Sequence, residues 1–208
     1  MATPTSPLKP AEYALLAVAF SAVCLWSWIG PLDRLTWWLE AAPAILIFTA
    51  GALLRHRIPL TRFSVYPVWA LLLMMLVGAH YTYSEVPPFN WLRDEFGLAR
   101  NHYDRVSHFL QGVTVAMVGR ELALRLTPLR PGPSLFIAVT AATLGVSAAC
   151  ELAEWAAAEI YGGGATAFLG MQGDAWDAQK DMALALMGAL SAQLFLRRPH
   201  NRALGVTE

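Results

Sequence analysis

Charge is scarce in this chain. Of its 208 residues, 14% are charged, and the 15 basic and 15 acidic side chains cancel to a net charge of zero. That balance excludes a global field for nucleic acid, so no nucleic-acid partner is expected. Cysteine is scarcer still: Cys24 and Cys150 both lie in apolar runs and form no CxxC pair, which argues against a disulfide framework. They read as small packing residues. The first apolar run, Tyr13 to Ile29, has no small-x-small cleavage site and ends in Trp-Ser-Trp-Ile-Gly-Pro, so it is expected to be a retained helix rather than a signal peptide. Strict apolar–polar alternation over segments of about ten residues is absent as well, which excludes a membrane β-barrel. There is no internal repeat, HExxH zinc signature, Gly-x-Ser-x-Gly elbow or Gly-rich phosphate loop.

What the chain has is hydrophobic length. Apolar residues make up 56% of it, with eight tryptophans. Six stretches approach the roughly 20 helical residues needed to cross a hydrocarbon core. They are Glu12–Ile29, Trp37–Leu54, Tyr66–Ser84, Asp104–Leu124, Leu135–Trp155 and Asp177–Leu196. In lipid the backbone must be satisfied within each segment, so helices are expected, and the fold class is an all-α transmembrane bundle forming a single domain. Gly30-Pro31, Arg55 to Pro59, Pro87-Pro88, Pro128 to Pro133 and Gly162 to Gly164 separate the stretches. The glycine run reads as a flexible connection, and Ser84 to Tyr103 as a structured interfacial loop. Gly112, Gly119, Gly145 and Gly188 are positions where helices can approach closely.

Basic residues give the orientation. Ten of the 15 Lys and Arg fall on the side of the termini, and five (Arg34, Arg93, Arg100, Arg105 and Lys180) on the other. Both termini are therefore expected in the cytoplasm. Seven tryptophans, all but Trp69, gather near the opposite boundary as an aromatic belt.

Twelve of the 15 acids also lie toward that outer boundary. His80, His108, Glu151 and Asp181 come from four different spans, each about one turn, or roughly 6 Å, inside the outer end. Ionisable groups within the bilayer are costly unless paired, and they mark functional sites. His, Glu and Asp suit Zn, Mn or Fe, and such a site with an open position activates water. The expected ligands are His108, Glu151, Asp181 and His80, with Glu154 and Asp177 as the catalytic general base or supporting groups. Asp104 reads either as part of this group or as a solvated helix cap. Haem on His80 and His108 is disfavoured because both lie near one face. Ser107 and His108 are helix neighbours that do not face each other, so a Ser–His pair is not expected.

At these residues the chain resembles a known family. The segments Asn101 to Phe109, Cys150-Glu151-Leu152-Ala153-Glu154-Trp155 and Gly173 to Met182 resemble the YjdF-type bacterial inner-membrane family, whose function is uncharacterised. The likeness runs from the first helix to the last. A looser one, on Arg105, His108, Phe109, Glu151, Glu154, Asp181 and Gly188, is to the VanZ-like family linked to glycopeptide resistance. The chain departs from the VanZ pattern in carrying Ala185 where that family usually has Asn, and in lacking its usual Gln and Arg between the second and third motifs. The functional expectation is a metal-dependent hydrolase or transferase acting on a lipid or envelope substrate. The alternatives are a small proton- or cation-coupled transporter or channel, and a non-catalytic envelope protein.

Overall fold

The computed structural model describes residues 8–162 and 171–206. Of the expected glycine connection, Gly163 and Gly164 lie outside the described residues. Six long helices are present: α1 (Pro10–Trp28), α2 (Arg34–Leu54), α3 (Arg62–Tyr81), α5 (Tyr103–Leu126), α6 (Pro133–Tyr161) and α7 (Asp177–Phe195). Two short ones join them, α4 (Pro87–Phe96) between α3 and α5, and α8 (Arg197–Leu204) after α7. The all-α membrane bundle is the observed fold.

Four of the long helices, α1, α2, α3 and α6, are long and apolar enough to cross a membrane by themselves. Helices α5 and α7 have the length, 24 and 19 residues, but carry more charge. Their position accounts for that. Helix α5 packs against α3, α6 and α7, so its polar side chains meet protein instead of lipid. The buried face of α5 includes Ser107, His108, Thr114, Arg120 and Glu121, and that of α7 includes Asp177, Asp181 and Gln193.

The α5–α7 crossing is the closest packing in the bundle, and glycine makes it so. A methyl on Gly112 would overlap the backbone of Ala185, and one on Gly188 would overlap the Phe109 carbonyl. Small residues let membrane helices approach to backbone contact. Gly119 and Gly145 do not act this way, because open space surrounds the position of an added methyl at each. The sequence expectation for that pair is corrected: both are small, but neither faces a neighbouring helix closely.

The tryptophans of the belt come from α1, α2, α4 and α6 and from the residue preceding α7. Trp26, Trp28, Trp38, Trp91, Trp155 and Trp176 are exposed, as an interfacial belt requires. Trp37 differs in being buried, and its indole N–H donates to Ser27 Oγ at 2.8 Å. Ser27 in turn donates to the Leu76 carbonyl at 2.6 Å, tying α1 and α2 to α3. The expected interfacial loop is ordered: a 3-10 turn over Tyr83–Glu85 leads into α4, whose Trp91 and Phe96 are exposed.

Candidate functional site

The site follows from the α5–α7 crossing. One turn toward the tryptophan-rich end from Gly112 lies His108, and one turn from Ala185 lies Asp181. Backbone contact at Gly112 and Ala185 therefore brings the two polar residues together. Asp104 follows one further turn along α5, on the same face. Ligand atoms of Asp104, His108 and Asp181 lie within 4.8 Å of one another. His108 Nε2 is 3.4 Å from Asp104 Oδ1 and 3.6 Å from Glu151 Oε1 on α6. His108 and Asp181 are buried. His108 Nδ1, Glu151 Oε1 and Asp181 Oδ1 are buried with no hydrogen-bond partner among the described residues. Unsatisfied buried donors and acceptors cost about 1–3 kcal/mol each, so three in one place mark a site that folding alone does not explain.

Of the sequence-predicted ligands, His108, Glu151 and Asp181 are thus brought together. His80 is not. Its ring stacks on Trp26 at 4.4 Å between centroids, and Nδ1 lies 3.1 Å from the Ser27 carbonyl oxygen. It serves the α1–α3 contact, because equal depth in the bilayer says nothing about which way a helix face turns. Asp104 takes its place as the third close donor. The i,i+4 spacing of Asp104 and His108 was the signal for it.

Of the two roles expected for Asp177, general base or supporting group, its contacts fit the second. Its carboxylate forms a short ion pair with Arg100 Nη1, while Arg100 Nη2 lies 3.4 Å from the second oxygen. Arg105 Nη2 is 3.7 Å away. A carboxylate held by two guanidinium groups is a poor general base, so this geometry fits a supporting group. Asp174 completes this layer, accepting from Arg105 Nη2 and Lys180 Nζ, both at 2.6 Å. The Lys180 ammonium beside it, then the Trp176 backbone N–H, hold the Asp174 carboxyl down at about 2.

Above the ion pairs, Asn101 and Gln172 fasten two loops together. Asn101 N–H donates to Gln172 Oε1 at 2.8 Å, and Gln172 Nε2 donates to the Asn101 carbonyl at 3.0 Å. The Asn101 side chain donates to the Val86 carbonyl (3.1 Å) and to Asn90 Oδ1 (2.8 Å), and accepts from the Tyr103 N–H (2.9 Å). This clasp secures the start of α5, and hence Asp104 and His108. The sequence reading did not single out Asn101, Arg100 or Gln172 for a role.

Beside the cluster lies a cavity of about 280 Å³, with polar lining from Glu40, Tyr83, Asp104, Ser107, His108, Gln111, Cys150 and Glu154. Glu154, expected as a general base or supporting group, lines this cavity together with His108. Glu40 of α2 is buried, and both of its carboxylate oxygens lack a hydrogen-bond partner among the described residues. The sequence reading did not single out Glu40, and only the packing of α2 on α3 reveals where it points. Tyr83 reaches the cavity by folding back over Gly78, where a side chain would collide with its ring.

A second polar group occupies the opposite end of the bundle. Glu121, fully buried on α5, accepts from the Thr61 N–H, the Thr61 and Ser64 hydroxyls and Arg125. His200 of α8 lies between Glu121 Oε2 and Arg120 Nη1, 3.2 Å from each. Arginine only donates, so Nδ1 accepts and Nε2 carries the proton given to Glu121. Burial holds the His200 pKa below its usual value, consistent with this neutral ring. Every oxygen of Glu121 is satisfied, which makes this group a lock and leaves the cluster of Asp104, His108 and Asp181 as the candidate site.

No solved structure matches the chain significantly. The inner membrane protein YjdF of Escherichia coli (strain K12) is 38% identical over 200 residues, covering 96% of each chain. Residues 12–202 match the family described as predicted membrane protein (DUF2238), a span that takes in all six long helices from Glu12 onward together with the clasp, the cluster and the Glu121 lock. This all-α membrane protein therefore belongs to that family.

Proposed function

We propose that the chain holds a divalent cation (Zn, Mn or Fe) on Asp104, His108 and Asp181, and uses it to hydrolyse or transfer a group of a lipid or cell-envelope substrate. The supporting observation is the convergence of three donors within 4.8 Å from two helices, with buried oxygen and nitrogen atoms left unpartnered. One imidazole and two carboxylates suit these metals. Such a cation, when bound, lowers the pKa of a coordinated water and polarises a substrate oxygen. Glu151 closes the site from α6, and Glu154 is placed in the cavity to accept a proton from the attacking water. Arg100, Arg105 and Asp177 hold the ends of α5 and α7 in register. The excess of basic residues on the side of the termini and the name of the relative support an inner-membrane location. Both termini then lie in the cytoplasm and the cluster on the periplasmic side.

Metal analysis tests this reading. Wild-type protein, purified without chelator and offered Zn, Mn or Fe(II), is expected to retain about one ion per chain. Asp104→Ala, His108→Ala and Asp181→Ala are each expected to lower affinity by at least about tenfold, since each removes a ligand. A wild type that retains no ion, with variants that merely melt earlier, would leave the cluster as an ion-paired lock in a non-catalytic envelope protein.

A second reading, proton- or cation-coupled transport, draws on a polar stripe along α6. Glu151, Ser147, Thr143 and Thr140 recur at helical spacing, and Thr140 Oγ1 accepts from Gln193 Nε2 at 2.9 Å. Gln193 lines a cavity of about 390 Å³ that also holds Arg120. Flux into proteoliposomes that follows a proton gradient and disappears in Ser147→Ala would favour it over hydrolysis.

A further inference from the structure

Glu40 and Glu154 stand on opposite walls of the outer cavity. Helix α2 packs on α3, while α6 packs on α5 and α7. Leu39, Glu40 and Pro43 line the cavity from one side, and Cys150, Ala153, Glu154 and Ala157 from the other. Pro43 and Ala153 are both exposed, as are Leu152 and Trp155 beside them, so the mouth between α2 and α6 opens onto the apolar belt of the bundle. The mouth has apolar walls and the interior is acidic. No Lys or Arg lines the cavity, whereas Glu40, Asp104 and Glu154 all do. The buried carboxylate of Glu40, with neither oxygen partnered, points to a ligand that donates hydrogen bonds and carries positive charge. Pro43 adds an acceptor, because it has no N–H to offer the carbonyl of Leu39 one turn back.

We propose that this cavity binds the ammonium head of an amine-bearing amphiphile, which reaches it sideways between α2 and α6 and leaves its alkyl chain in the bilayer. The inference rests on the site proposed above and names its substrate class. With a cation on Asp104 and Asp181, Glu40 and Glu154 are the charges left to receive the amine. An anionic head meets no Lys or Arg there and faces the Glu40 and Glu154 carboxylates, while the His108 imidazole on the lining is taken up by the proposed cation. Cys150, on the cavity wall, is the reporter.

The test uses the full chain in lipid nanodiscs with Cys24→Ser, following the rate of Cys150 labelling by N-ethylmaleimide. Dodecylamine is expected to slow labelling by about tenfold or more, and dodecanol and dodecyl phosphate by less than about twofold, since the three heads are positive, neutral and negative in a buried acidic site. Glu40→Gln should reduce dodecylamine protection to the dodecanol level. Ala153→Phe, at an exposed position, should do the same without altering charge, by filling the mouth. Should Glu40→Gln fold poorly, Glu154→Gln removes charge from the opposite wall. Equal protection by dodecylamine and dodecyl phosphate, or full protection in both Gln variants, overturns the proposal. Butylamine protecting as well as dodecylamine overturns the sideways route. Metal content measured on the same samples separates the two readings. Glu40→Gln that keeps its ion but shows unchanged protection sinks the amine site alone, whereas an ion-free wild type that dodecylamine still protects sinks the metal reading alone.

Discussion

Adding one methyl group at four glycines discriminates sharply between helix faces in this bundle. At Gly112 an added Cβ would lie 2.6 Å and 2.8 Å from the carbonyl carbon and Cα of Ala185, where ordinary contact begins at 3.4 Å. At Gly188 it would lie 3.0 Å from Val113 N and 3.1 Å from the Phe109 carbonyl carbon. The neighbours are backbone and cannot rotate away, so α5 and α7 must separate by about 1 Å. Overpacking of this kind costs about 1–3 kcal/mol. Replacing glycine by alanine in a helix returns up to about 1 kcal/mol. Gly112→Ala and Gly188→Ala are therefore expected to destabilise by about 1–2 kcal/mol, or roughly 3–6 °C in Tm for a chain of this size. At Gly119 and Gly145 nothing lies within 4 Å of the added atom. There only the propensity gain acts, and the alanine variants should be unchanged or more stable by up to about 1 kcal/mol. Thermal unfolding of the four variants in one detergent measures this directly. The first pair should also weaken any cation bound by His108 and Asp181, which sit one turn from the crossing. If all four substitutions shift Tm alike, the close α5–α7 crossing is wrong, and so is the origin given for the cluster.

Other measurements probe the ion pairs at each end. The Asp174 carboxyl is lowered from 3.8 to about 2, so its contribution is complete above pH 3.8 and is lost as pH falls toward 2. Hydrogen exchange across residues 99–103 should accelerate over that window, and Asp174→Asn should show the faster exchange already at neutral pH with no further acid step. Glu121→Ala strands Arg125 and the Thr61 N–H in a buried site, and is expected to cost about 3–5 kcal/mol in unfolding measurements. Because the His200 pKa is lowered, the unfolded chain binds the proton more readily, so the stability tied to this ring is complete above pH 6.5 and declines below it. His200→Gln, which keeps a donor and an acceptor, should flatten that part of the stability–pH curve.

Much of the fold was legible because lipid leaves the backbone few options. Breakers at Gly30-Pro31, Pro87-Pro88 and Pro128 to Pro133 bracket apolar runs, and the observed helices start and stop within a few residues of the expected ones, apart from the C-terminal end of α6. That helix runs to Tyr161, six residues beyond Trp155, because alanine and glutamate continue it until Gly162 adopts a positive φ. His108, Glu151 and Asp181 were legible as a group because polar residues one turn inside a span are expensive. His80 met the same criterion, yet it belongs to the Trp26 contact. Glu40 was not singled out from the sequence and is deeply buried. Depth can be read from position along the chain, whereas the direction a side chain takes depends on helix rotation, which neighbouring helices set.

The order of apolar and polar residues alone determined that the chain enters a membrane, that it does so as helices, and that its acids collect near one boundary, since each is a transfer free energy summed along one segment. Which of those acids meet was decided only in three dimensions. It took Gly112 and Gly188 to draw two helices into backbone contact, and Arg100 with Asn101 to fix their ends, before Asp104, His108 and Asp181 could share one space. Interactions between segments distant in sequence depend on rotation and separation of helices, and these are properties of the packed bundle that no single span contains.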